Sequence, residues 1–175
     1  MRVIGGSARG RPLKAKLPAT VRPTTDFARE AIFSMLESRG GLEDLVVADL
    51  YCGSGAMGIE ALSRGASKVY FVDADPACLA AVRENLEPFH LAGEAIYVRA
   101  TLPLWSPPGD LDLVLADPPY GPLDVASVLR GVRAERVVVE NDHHVEAPEG
   151  WWVTKTKRYG TTLVTMLEPA PAEDA

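Results

Sequence analysis

The chain contains no glutamine and only two asparagines, Asn85 and Asn141. That depletion suits a heat-adapted source, and an Ala/Arg/Pro-rich coding bias accounts for it equally well. Cysteine is scarce too. Cys52 and Cys78 cannot make a disulfide framework, no Cys or His pair has zinc-finger spacing, and both thiols are expected to be free. No apolar run approaches the roughly 18 residues of a membrane helix. The N-terminus lacks the apolar stretch of a signal peptide, so neither a membrane partner nor export is indicated and the cytoplasm is the expected location. What is present is a chain of 175 residues, 47% apolar and 24% charged, which suffices for one sizeable core and is short for two ordinary domains. A monomer is expected. No metal site is expected either, because the adjacent His143 and His144 read as solvated loop residues.

Acidic residues are missing from the first 25 positions, which hold Arg2, Arg9, Arg11, Lys14, Lys16 and Arg22, so the remainder of this −6 chain carries −12. An evenly acidic protein would disfavour a phosphate-bearing partner; a basic segment on an acidic body allows one. Interleaved Gly5, Gly6, Gly10, Pro12 and Pro18 suggest a hairpin or loops, and a merely solvated segment is the competing reading. The expected organisation is a basic arm over 1–25, one folded domain over 26–168 and a frayed tail over 169–175.

Helical spacing of Ala28, Ile32, Met35 and Leu36 predicts a helix capped by Thr24 or Thr25 and ended by Gly40-Gly41. Strands are predicted at Leu45–Tyr51, Val69–Val72, around Ile96–Val98, at Asp112–Ala116 and at Arg136–Val139. A helix ending near Gly65 separates the first two, and Asp75-Pro76 opens another. Trp151–Lys157 and Thr162–Leu167, joined through Arg158-Tyr159-Gly160, read as a terminal antiparallel hairpin, with Trp151 and Trp152 on opposite faces. Strands alternating with helices imply a doubly wound α/β fold.

Gly53-Ser54-Gly55-Ala56-Met57-Gly58 matches G-x-G-x-x-G between a predicted strand and helix, and Asp73 follows Gly53 by 20 residues. The pattern brings backbone close to a ligand at a helix N-terminus and offers a carboxylate to a ribose diol. NAD and S-adenosylmethionine both carry that ribose. Asp49, four residues before the glycines, would repel a pyrophosphate and attract the ammonium group of a methionine moiety, which favours the methyl donor. Asp117-Pro118-Pro119-Tyr120 directly follows the fourth strand. Its prolines lack N–H groups, so the Asp117 carboxylate and Pro118 carbonyl are acceptors without local donors, suited to both protons of an exocyclic amine, while Tyr120 offers a stacking face.

Asp49-x-x-x-Gly53-x-Gly55, Asp73 and Asp117-Pro118-Pro119-Tyr120 resemble the motifs of class I S-adenosylmethionine-dependent amino-methyltransferases. Gly6-Ser7-Ala8-Arg9-Gly10-Arg11, Arg22-Pro23-Thr24-Thr25-Asp26, Arg29-Glu30-Ala31-Ile32-Phe33, Glu60-Ala61-Leu62-Ser63-Arg64-Gly65-Ala66 and Lys157-Arg158-Tyr159-Gly160 resemble, more specifically, the RsmD family of bacterial 16S rRNA guanine-N2 methyltransferases. The resemblance spans about residues 1–168. It implies a Rossmann-like class I methyltransferase fold, with a seven-stranded, mostly parallel sheet, a C-terminal antiparallel hairpin and a small basic N-terminal extension. It implies transfer of a methyl group from S-adenosylmethionine to N2 of one guanine, guanine 966, in naked 16S rRNA or a small-subunit assembly particle.

The catalytic residues would then be Asp117, Pro118 and Tyr120. Asp49, Tyr51, Gly53, Gly55, Met57, Asp73 and Ala74 would hold the cofactor. Where that fold often has an acid for the adenine, Arg99-Ala100-Thr101 places the hydroxyl of Thr101, with backbone contacts as the alternative. Arg9, Arg11, Lys14 and Arg22 on one side, and Lys155, Lys157 and Arg158 on the other, would meet RNA. A DNA adenine or cytosine amino-methyltransferase, a glutamine-amide methyltransferase and a dinucleotide-binding oxidoreductase or nucleotide-binding module are the alternatives.

Overall fold

The computed structural model describes residues 1–15, 26–119 and 121–171. Thr24 and Thr25, expected to cap the first helix, fall outside them, as do Arg22 and Tyr120. Helix α1 (Asp26–Glu37) buries Ile32, Phe33 and Leu36. It stops where Gly40 and Gly41 take φ of 110° and 80°, and the Gly41 N–H donates back to the Leu36 carbonyl at 3.2 Å. Only glycine adopts two such successive conformations cheaply.

Seven strands follow the predicted positions: β1 (Val46–Leu50), β2 (Lys68–Asp73), β3 (Glu94–Arg99), β4 (Leu111–Ala116), β5 (Ala134–Asn141), β6 (Trp151–Tyr159) and β7 (Thr162–Pro169). They form one sheet in the order β3-β2-β1-β4-β5-β7-β6. The first five are parallel, and β7 pairs antiparallel with both β5 and β6. The chain therefore reverses direction of strand addition at β1/β4, the switch point where open α/β sheets bind ligands. Continuous apolar runs in β1 and β4 reflect burial on both faces.

One face packs on α1, α2 (Ala56–Ser63) and α3 (Pro76–Leu86) through Phe33, Ile59, Val82, Leu115 and Met166. The other packs on Trp105 and a short helix α4 (Val125–Val128) through Val114, Val137 and Leu167. Asp75 caps α3, accepting from the Ala77 N–H at 2.8 Å with Pro76 at the first position. Helix α4 was not legible, because four residues carry no period. Asp124 fixes it by accepting from the Ser127 N–H at 3.1 Å and its hydroxyl at 2.6 Å.

The basic N-terminal segment is anchored on this body. Val3 and Ala8 are each 2% exposed and belong to the core. Residues 1–15 double back through an Arg2–Pro12 bridge. The fully buried Glu60 of α2 accepts from the Ile4 and Gly5 N–H groups at 2.7 and 2.6 Å and from Arg64 Nε at 2.8 Å. Ser63 Oγ donates to the Gly5 carbonyl and accepts from the Ala8 N–H. A buried carboxylate satisfied this way costs about 1–3 kcal/mol or more per group to strip of its partners. Cutting away the first residues would thus expose core and leave Glu60 with Arg64 alone of these three partners.

Candidate active site

The site forms where β1, β2 and β4 end. At the mouth of β1, Tyr51 takes a left-handed conformation, φ 58°, costly for a non-glycine residue and common where a turn serves a site. Gly53 and Gly55 continue the turn at φ 53° and 78°. A Cβ on Gly55 would approach Val82 to 2.9 Å, and one on Gly58 would press on Phe71 at 2.4 Å. Gly55 therefore sets how closely the turn packs on α3 and Gly58 how closely α2 packs on β2, while Gly53 sets the turn.

Three carboxylates converge here. Asp49 is 2% exposed, and its Oδ2 accepts from the Gly58 N–H at 2.8 Å. Burial pushes its carboxyl well above the usual range, and the charges of Asp117 and Asp73 push the same way, while the Gly58 bond opposes them. Asp73 accepts from the Gly53 N–H at 3.0 Å and the Asp75 N–H at 2.9 Å. It ties the glycine turn to the end of β2 and leaves acceptor capacity for a diol. Asp117 hangs from the end of β4, its N–H directed to the Leu50 carbonyl at 3.4 Å; Pro118 is buried and Pro119 exposed.

Such a cluster repels itself and favours a cation. S-adenosylmethionine, with its sulfonium and ammonium, fits this donor set; the pyrophosphate of a dinucleotide does not.

A test follows from the sign of the Asp49 shift. A carboxyl whose folded pKa is raised makes the ligand-free fold lose stability as pH rises from near the ordinary value of 3.8 through the raised one. Asp49→Asn keeps an oxygen for Gly58 and removes that slope. Its melting temperature at neutral pH should rise by about 2–4 °C per kcal/mol relieved. S-adenosylmethionine affinity should fall by about 1.5–3 kcal/mol. Melting curves between about pH 4 and 8 and calorimetric titration measure both; a variant with unchanged affinity would remove Asp49 from the cofactor site.

Of the other expected cofactor residues, Met57 is buried at the start of α2, Ala74 is exposed between Asp73 and Asp75, and Thr101 is exposed after β3. The Thr101 carbonyl accepts from the Leu104 N–H at 2.8 Å. Cys52 and Cys78 are buried free thiols. Burial pushes the Cys78 thiol up to about 12 and the Cys52 thiol higher still, with acids adding, so neither is a nucleophile.

Both asparagines serve the site, which composition alone did not reveal. Asn85, 2% exposed, donates to the Ser54 carbonyl at 3.0 Å and accepts from the Ala15 N–H at 2.9 Å, linking the N-terminal segment to the glycine turn. Asn141, 1% exposed, donates to the Gly121 carbonyl at 3.2 Å. Asp142 accepts from the Gly121 N–H at 3.1 Å and from His143 Nδ1, which holds its carboxyl below the usual range. The chain leaving Asp117-Pro118-Pro119 is thereby pinned to the end of β5. The only sequence signal was the rarity of Asn.

The expected RNA residues scatter. Arg9 lies at the tip of the N-terminal hairpin, next to Ser7 and Ala8, which bond Ser63 at the end of α2, and so at the end of the sheet opposite Asp117. Arg11 donates to the Pro88 carbonyl and stacks on Phe89 at 4.6 Å, past the end of α3. Lys14 is exposed. In contrast, pairing of Asn141 with Leu163 and of Leu163 with Arg158 carries the β6–β7 turn to the Asp117 end. No group of three or more His, Cys, Asp or Glu suited to a metal occurs among the described residues, and no helix among them is long and apolar enough to cross a membrane.

A family model described as Conserved hypothetical protein 95 matches residues 1–168. The Bacillus subtilis protein YlbH is 35% identical over 187 aligned positions, covering 96% of this chain and 98% of that one. Ribosomal RNA small subunit methyltransferase D of Haemophilus influenzae is 29% identical, covering 91% and 89%. The solved structure of the Escherichia coli protein yhhF superposes with a TM-score of 0.80 at 29% identity over 97% of each chain. With its sheet order, glycine turn and Asp117-Pro118-Pro119 placed as above, the chain belongs to the Conserved hypothetical protein 95 family, the RsmD-type methyltransferases.

Proposed function

We propose that the protein methylates ribosomal RNA, transferring the methyl group of S-adenosylmethionine to N2 of a guanine in 16S rRNA, guanine 966. The observation that carries this is Asp117 with the buried Pro118, set at the end of β4 beside the glycine turn of β1 and close enough to Asp49 to raise its pKa. The names of the small-subunit methyltransferases D support RNA as the substrate.

S-adenosylmethionine, when bound, supplies an electrophilic methyl group on a sulfonium. The chain's own residues orient the nucleophile. Guanine N2 is a poor one because its lone pair is delocalised into the ring. The Asp117 carboxylate and Pro118 carbonyl would each accept a hydrogen bond from one N2–H, favouring a pyramidal nitrogen whose lone pair faces the methyl carbon. Positive charge that develops on N2 during methyl transfer would lie beside Asp117, whose fixed carboxylate would lower the barrier. The amine then sheds one proton to water, so no strong base is required. Tyr120, expected to stack on the base, lies outside the described residues.

Isotope-labelled methyl donor with small-subunit rRNA, followed by mass spectrometry of nuclease fragments, tests this. Label on one guanine N2 is the expected result; label on protein, on another base or on none would sink it.

A further inference from the structure

Strand β6 is the edge of the sheet, and its partner β7 lies under α1. Its register breaks once: Val153 pairs with Leu167 and Lys155 with Met166, leaving Thr154 as a bulge. The consequence is a change of parity. Without the bulge, Trp152 and Lys155 would point to opposite faces. With it, Trp152, Lys155, Lys157 and Tyr159 pair with Glu168, Met166, Val164 and Thr162, alternate residues of β7, and share the α1 face. Thr156 occupies the other face, its hydroxyl 3.4 Å from that of Thr165.

In this row Trp152 and Lys157 are exposed and Lys155 and Tyr159 half-buried. Trp152 is 48% exposed and Phe27, which meets Tyr159 edge-to-face at 5.6 Å, is 66% exposed. Neither Lys155 nor Lys157 has a carboxylate partner among the described residues. Beside Trp152, two guanidiniums, Arg39 and Arg136, share the single carboxylate of Glu168, at 2.6 and 3.3 Å. An aromatic at each end with cations between thus runs about 20 Å along the strand, at about 3.3 Å per residue, starting from the end of the sheet that carries Asp117. On a chain of net charge −6 this is a local positive track.

We propose that this face of β6 is a binding track for unpaired RNA, with bases stacked on Trp152 and on the Phe27–Tyr159 pair and phosphates against Lys155 and Lys157. Stacking on exposed rings needs unpaired bases, and cations set between two ring platforms suit the backbone of a single strand. A protein strand added to this edge would meet the bulge and the lysines, devices that discourage such pairing. The inference rests on RNA being the substrate and deepens it: the track would hold RNA flanking the target base.

The test uses the full chain and a labelled single-stranded oligouridylate, with anisotropy and tryptophan emission as readouts and no methyl transfer, so that it fails independently of the methylation assay. Wild type should bind and its emission should quench. Trp152→Ala should bind about tenfold or more weakly and lose the quench. Lys155→Ala with Lys157→Ala should lower the slope of log affinity against log salt by about 1.4, at about 0.7 per phosphate. Val153→Ala, on the opposite face, should bind as wild type. Thermal melts and S-adenosylmethionine titration should match wild type throughout, Trp152 being half exposed. Wild-type binding in the folded Trp152 and lysine variants, or no binding by wild type, overturns the track. So does capture of β6 by a protein or a second copy that RNA does not displace.

Discussion

Asp117→Ala is expected to slow single-turnover methyl transfer to small-subunit rRNA by about a hundredfold or more, the scale seen when one preorganised hydrogen-bonding group is removed. The fold should survive, because the next residues are held by Pro118 burial and by the Asn141 and Asp142 contacts to Gly121, which the substitution leaves alone. Asp117→Asn retains a carbonyl acceptor but loses the charge and introduces an NH2 that faces the amine if flipped, so its rate should fall between wild type and alanine. Asp117 also repels the ionised form of Asp49. Its removal should therefore ease ionisation of Asp49 and offset the loss of one negative charge near the donor, leaving cofactor affinity little changed. Wild-type rates in both folded variants would sink the amine-orienting role, and unfolding of both would make Asp117 a loop-capping residue.

Asp73→Ala should weaken S-adenosylmethionine binding by about 1.5–3 kcal/mol, the range for hydrogen bonds to a charged group. Two effects combine. The ribose diol loses its acceptor, and the Gly53 and Asp75 N–H groups, now held at 3.0 and 2.9 Å, lose theirs, which frees the glycine turn. Asp73→Asn separates them: its one oxygen can hold one of those N–H groups but no charge remains for the diol. Alanine much worse than asparagine would assign the effect to the turn, and equal losses to the diol. Calorimetric titration with thermal melts is the measurement; unchanged affinity in both would take Asp73 out of the cofactor site.

The strands, their order of appearance and the glycine turn were legible because each is written locally. Apolar runs in β1 and β4, the 20-residue step from Gly53 to Asp73 and the Asp75-Pro76 cap are patterns within one or two elements. Asp117 was singled out the same way, from a stiff tetrapeptide directly after a buried strand. The basic character of residues 1–25 was also plain, yet the direction in which residues 1–15 face was not. That depends on Glu60 and Ser63 of a distant helix, which hold Ile4, Gly5 and Ala8 and carry Arg9 to the far end of the sheet.

Composition, spacing and period thus determined the α/β architecture, the glycine turn after β1 and the acidic residues at the strand ends, since these follow from backbone geometry and local chemistry. Tertiary structure alone decided the rest. Burial beside Asp117 and Asp73 raised the Asp49 carboxyl, because desolvation is a property of the packed interior. The two asparagines gained their roles by bonding loops dozens of residues away. The bulge at Thr154 placed Trp152 in line with Lys155 and Lys157, because side-chain parity is set by strand pairing and a one-residue slip reverses it.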